Sequence, residues 1–114
     1  MKLKKPVISV APMVDKTDRY FRNFVRMINK DVLLYTEMVT AQAIIHGDLE
    51  RILGFDEIEH PIALQIAATT PKDAYKAVRI AEEYNYDDII LLYQKIADIV
   101  NYTLLFQIHM DLSI

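Results

Sequence analysis

Cysteine and tryptophan are absent from this chain of 114 residues, and glycine occurs only twice. Without cysteine there is no disulfide, no thiolate metal site and no thiol acid or nucleophile. Two glycines and four prolines leave little turn punctuation, so most of the chain must be committed to helices, strands and short connections. No stretch of about 18 uncharged apolar residues exists, so no membrane span is expected. The nearest approach, Ile99 to Met110, is short and carries Asn101, Thr103, Gln107 and His109. Lys2, Lys4 and Lys5 make a basic start that runs into only Pro6 to Ala11, too short for a secretory leader, and a cytoplasmic protein is the expectation. A net charge of −3 gives no overall electrostatic reason to bind a polyanion.

What is present is a hydrophobic fraction of 53% beside 25% charged residues, a composition that collapses rather than stays disordered. The length allows one small domain, whereas a complete (β/α)8 barrel needs about 250 residues. Strand and helix patterns alternate along the chain. Val7 to Ala11 is a short apolar run ended by Pro12, as in a buried parallel strand. Asp15 or Thr17 then offers a cap for a helix with Phe21, Phe24, Val25 and Ile28 at helical spacing. Val32 to Thr36 reads as a second strand, followed from Thr40 by a short helix that stops near His46-Gly47-Asp48. Leu49 to Glu59 is mixed and reads as irregular. Pro61 to Ile66 reads as a third strand. Thr70, Pro71 and Asp73 mark a helix start, with Ala74, Ala77, Val78 and Ala81 as its buried stripe. Asp88 to Leu92 is the fourth strand candidate. Strands separated by helices imply βαβ units and a parallel sheet, either the first part of a barrel or an open sheet.

In such proteins functional groups gather where strands end, because several loops converge there. Ala11-Pro12-Met13, Glu37-Met38 and Gln65 fall at such places. Each also has an ordinary reading: Pro12 as a strand terminator, Met13 as core filler, Glu37 as a solvated helix start, Gln65 as a polar strand end. His46, beside Gly47 and Asp48, reads as a loop residue at a helix end rather than an acid or base. His60 and His109 do not look like ligands. The spacing of Asp15, Asp18, Glu37 and Asp48 fits no familiar metal loop, so no metal site is expected.

Taken in order, Ala11-Pro12-Met13 with Thr17-Asp18-Arg19, Leu33 to Thr40, Ala43 to Asp48, and Glu59 to Gln65 resemble the A-type branch of the tRNA-dihydrouridine synthases, from about Val7 to about Ile89. The resemblance implies an α/β fold, a partial (β/α)8 TIM barrel made of the first three to four βα units only. It implies a flavoenzyme that reduces the 5,6 double bond of uridines in tRNA, with FMN as hydride carrier and NADPH as reductant. By position, Pro12, Met13 and Val14 match the first flavin-contacting loop and Gln65 the flavin-contacting glutamine. An apolar loop suits an isoalloxazine face, and an amide both donates and accepts at the ring's polar edge.

After Ile89 the family pattern continues with Asn-x-Asn and Gly-Cys-Pro, whose cysteine protonates the uracil; here the chain reads Ile90-Leu91-Leu92-Tyr93-Gln94-Lys95. No residue of this chain is therefore assigned as catalytic, and inactivity alone is expected. At Ala67-Ala68 the pattern usually has a glycine pair, so methyl groups there are expected to restrict approach to the cofactor. The tail from Ile90 to Ile114 has no Gly, Pro, Cys, Arg or Glu, as an AT-rich out-of-frame reading would. The expected division is residues 1–89 as the N-terminal part of a flavin-binding barrel and 90–114 as an unmatched apolar tail, with a frameshift as its expected origin. Parallel strands with open edges would also allow a non-catalytic role, in which the fragment associates with a partner or with itself.

Overall fold

The computed structural model describes residues 8–96 and 103–111, with the backbone alone described in 93–96 and 103–111. Four strands form one sheet in the order β1 (Leu34–Thr40), β2 (Ile62–Ala68), β3 (Asp88–Ile96) and β4 (Thr103–Asp111). The first three run parallel, and β4 pairs antiparallel with β3 from Asp88 opposite Asp111 to Ile96 opposite Thr103. The expected first strand is reduced to a bridge between Ser9 and Leu33, with the Val10 N–H donating to the Leu33 carbonyl at 3.0 Å and the Leu33 N–H to the Ile8 carbonyl at 2.9 Å; Val7 lies outside the described residues.

Period-two alternation decides which side chains meet the helices. Ile62, Leu64, Ile66 and Ala68 of β2 pack in one core with Leu34, Ile44, Leu53, Ile89 and the buried stripe of α4 (Pro71–Ala81). That stripe is Ala74, Ala77, Val78 and Ala81, as its spacing predicts, and the Thr70 hydroxyl caps it by accepting the Asp73 N–H at 3.2 Å. The short helices α2 (Ala41–His46) and α3 (Leu49–Leu53) contribute Ala41, Ile44 and Leu53. Thr40 caps α2 and Asp48 caps α3. Leu49 to Glu59 is thus more regular than the sequence suggested: it holds α3 and a 3-10 turn at Glu57–Glu59.

Helix α1 (Arg19–Ile28) departs most from expectation. Its cap is Asp18, whose carboxylate accepts the Phe21 N–H at 2.8 Å, rather than Asp15 or Thr17. Its buried residues are Arg22 and Arg26, while Tyr20 (85%), Phe24 (59%), Met27 (71%) and Ile28 (72%) are exposed. A buried carboxylate explains the inversion. Glu59 is fully buried and needs a cation, which Arg22 supplies from Nε at 2.5 Å. Arg26 donates to the carbonyls of Asn29, Val32, Glu59 and Pro61, which joins the end of α1 to the starts of β1 and β2.

Candidate functional site

The segment between the Ser9 bridge and α1 is a closed turn. The N–H groups of Lys16 and Thr17 both donate to the Met13 carbonyl, at 3.0 and 2.9 Å. The buried Thr17 hydroxyl accepts the Met13 N–H at 3.0 Å and donates back to the Met13 carbonyl at 3.2 Å. The Met13 main chain is thereby locked while its side chain, and more so that of Val14, stays exposed; Pro12 is half-buried. Asp15 sits in the left-handed region with φ 63°, a conformation that costs a non-glycine residue energy and must be held by its surroundings. Below the turn, Arg22 donates from Nη1 to the Thr17 carbonyl at 2.8 Å, and its partner Glu59 accepts the Asp56 N–H at 2.6 Å. The guanidinium of Arg19 beside Asp56 holds that carboxyl down at about 2.

Gln65 lies within β2 opposite Met38 of β1 and Ile90 of β3. It is half-buried, and among the described residues its side-chain amide has no hydrogen-bond partner. Strand β1 carries an irregularity between Tyr35 and Met38, a bulge of the kind that re-aims side chains at barrel rims. The Thr36 hydroxyl donates to the Glu37 carbonyl at 2.8 Å and accepts the Gln65 N–H at 3.2 Å. Glu37 accepts the Asp15 N–H through Oε1 at 2.5 Å. Two successive residues of one strand therefore grip the two halves of the expected flavin site. No direct contact joins Pro12, Met13 or Val14 to Gln65 among the described residues; β1 stands between them.

Where β1 and β2 end, Met38, Thr40, Gln42, Ala67 and Asp73 line a shallow cavity of about 280 Å3, closed on one side by the Gln42 amide donating to Asp73 at 2.7 Å. Ala67 and Ala68 both line this cavity, and Ala68 also packs against the core. Ala67 is the more exposed of the two. The donor set suits a flavin: a fixed apolar turn for a ring face, and an amide whose donor and acceptor are both uncommitted.

The remaining polar residues have structural employment. His46 is the exposed last residue of α2. His60 places Nδ1 2.6 Å from the Asp87 carboxylate and its ring edge-on to Phe55 at 5.0 Å. Burial pushes the Tyr86 phenol well above its ordinary value, and its O–H donates to the Leu53 carbonyl at 2.7 Å. Burial, then the charge of Asp88, raises Tyr35. Among the described residues no three His, Cys, Asp or Glu side chains gather as a metal ion would need, and no helix is long and apolar enough to cross a membrane. The side chain of His109 lies outside the described residues.

The family model described as Dihydrouridine synthase (Dus) matches residues 9–91. The chain belongs to the dihydrouridine synthase family. A tRNA-dihydrouridine(20/20a) synthase of Synechocystis is 50% identical over 84 residues, which are 74% of this chain and 25% of that protein. The one of Pseudomonas aeruginosa is 51% identical over 83 residues, 73% of this chain and 25% of that protein. The one of Vibrio parahaemolyticus is 51% identical over 84 residues, 74% of this chain and 26% of that protein. The chain thus spans about a quarter of the length of these curated relatives. The family match contains Pro12, Met13, Val14 and Gln65 and ends within β3. Glu37 was legible as a strand-end candidate but read equally as a solvated helix start, while Thr17 and Thr36 carried no such signal, because a short polar side chain near a strand end reads as a cap until its partner across the sheet is known.

Proposed function

We propose that this chain is the flavin-facing N-terminal portion of a tRNA-dihydrouridine synthase, comprising the first three to four βα units of a (β/α)8 barrel. In this reading the whole enzyme reduces uridine to 5,6-dihydrouridine in tRNA, in the cytoplasm, with NADPH as reductant. Bound FMN would supply the hydride. The turn Pro12-Met13-Val14 offers an apolar face to the ring, and the Gln65 amide meets the ring's polar edge. The observation that carries this reading is the uncommitted, half-buried amide of Gln65 on the strand next to the one that pins the Met13 turn. With no cysteine in the sequence, the proton donor implied by the family resemblance is not supplied here, so we assign no catalytic residue and expect no turnover from this chain alone. We likewise divide the chain near Ile89; the family match runs to residue 91, and the chain beyond it lies outside the pattern. The test is a titration with FMN followed by flavin absorbance and fluorescence. Saturable binding that weakens in Gln65→Ala supports the reading, and no uptake by the native chain overturns it.

A second reading, a βα unit that acts by association with itself or a partner, has its own observation in the exposed apolar stripe of α1. The edge of β3 is occupied by β4, so this reading rests on the helix rather than on that strand. It is decided by oligomeric state.

A further inference from the structure

We infer that Glu37 is a positioning residue of the flavin site, acting through the Asp15 amide on the turn that presents Pro12, Met13 and Val14; the inference rests on the flavin reading above. Three observations converge on it. Asp15 is one of two non-glycine residues at positive φ among the described residues, at 63°, a conformation uncommon for a residue with a side chain, though one that Asp tolerates better than most. The carboxylate of Glu37 accepts the N–H of that same residue at 2.5 Å across 22 positions of sequence, a charge-assisted bond of the stronger kind. The neighbouring residue Thr36 accepts the Gln65 N–H at 3.2 Å, at the irregularity of β1. The bulge therefore sets both flavin contacts from one short piece of backbone. A regular strand would turn Glu37 or Thr36 to the wrong side, because side chains alternate between faces.

Glu37 differs from Thr17, which also holds the turn. The Thr17 hydroxyl closes the turn upon itself through Met13 and fixes its internal shape. Glu37 fixes where the turn sits relative to the sheet. Losing it should leave the fold intact and let the turn move as a unit, because both Asp15 and the Glu37 edge of β1 are accessible to water.

The test uses the full chain with Glu37→Ala and Glu37→Gln. Amide hydrogen exchange is measured by NMR, with thermal melting and FMN titration alongside. The inference expects the Asp15 amide to exchange about 10- to 100-fold faster in Glu37→Ala, with core amides of β2 and the melting temperature unchanged. FMN affinity should fall by a similar factor, and Glu37→Gln, which keeps an acceptor oxygen without the charge, should fall between. A merely structural role would instead lower the melting temperature and speed exchange throughout the sheet, which overturns the inference. Unchanged Asp15 exchange, or a loosened turn with unchanged FMN affinity, overturns it too. If native protein takes up no FMN, the flavin reading fails and this inference with it; native uptake matched by Glu37→Ala defeats only the inference. Should Glu37→Ala fail to fold, the same comparisons on Glu37→Gln decide.

Discussion

At the residue scale the most consequential contacts are those between buried charges. Glu59 is enclosed, and its compensation comes from Arg22 across 37 positions of sequence. Removing one member of such a pair leaves the other charged and dry. Arg22→Ala should therefore cost about 3–5 kcal/mol, read by urea unfolding, and should also loosen Thr17, whose carbonyl accepts from the same guanidinium. The double change Arg22→Met with Glu59→Leu should recover much of that loss, because an apolar pair removes the desolvation penalty. A double variant no more stable than Arg22→Ala would show that the Glu59 bonds to the Asp56 backbone matter more than its charge. Asp56 itself is half-exposed beside Arg19, and its folded value of about 2 lies below its ordinary 3.8. A carboxyl lowered on folding contributes stability that is present above its unfolded value and lost as pH falls through its folded one. The melting-temperature gap between native protein and Asp56→Asn should accordingly be constant above about pH 5, shrink between about 4 and 2, and vanish below. Solvent screening keeps that gap small, and added salt should narrow it. A gap that persists at low pH would assign the effect to Asn23, which also donates to Asp56.

At the element scale α1 and α4 make a useful contrast. The apolar spacing of α4 identified its buried face because nothing else competed for it. In α1 the same rule pointed to Phe21, Phe24, Val25 and Ile28; Phe21 and Val25 are half-buried, with Val25 against the core, but Phe24 and Ile28 are exposed and the helix turns Arg22 and Arg26 inward. Both arginines satisfy groups that no apolar side chain could, and each brings several donors in a fixed fork. The result is an exposed stripe of Tyr20, Phe24 and Met27 at helical intervals, a contiguous apolar feature of the kind that marks interaction surfaces. If that stripe mediates association, sedimentation should show native protein as a concentration-dependent oligomer. Phe24→Glu with Met27→Glu should then give a monomer with an unchanged circular dichroism spectrum. A native chain that stays monomeric across that concentration range would dismiss the stripe as an interface.

At the scale of the whole molecule, the family pattern and the sheet do not end together. The match stops at residue 91, while β3 continues to Ile96 and pairs along its length with β4. The sequence carried a signal for β4 that its unmatched composition concealed. Phe106, Ile108 and Met110 alternate with Gln107, His109 and Asp111, the period-two pattern of a half-buried strand. An antiparallel partner closes an edge that a parallel half-barrel would leave open. For the coding DNA, our division at Ile89 expects one of the other two reading frames beyond that codon to encode an Asn-x-Gly-Cys-Pro-like stretch, then more barrel. Translation of those frames checks it. No such stretch in any frame would make the pairing of β3 with β4 the intended form of the sheet.

The sequence by itself determined the alternation of strands and helices, the cap at Thr70, the buried stripe of α4 and the family, since all of these depend on neighbours within a few turns of chain or on residue order. Only the tertiary structure decided that Arg22 meets Glu59, that α1 turns Tyr20 and Phe24 outward, and that Thr36 and Glu37 join the Met13 turn to Gln65. Those contacts span 22 to 37 positions, and which polar groups meet across such distances depends on strand register and on the bulge in β1, neither of which a local pattern encodes.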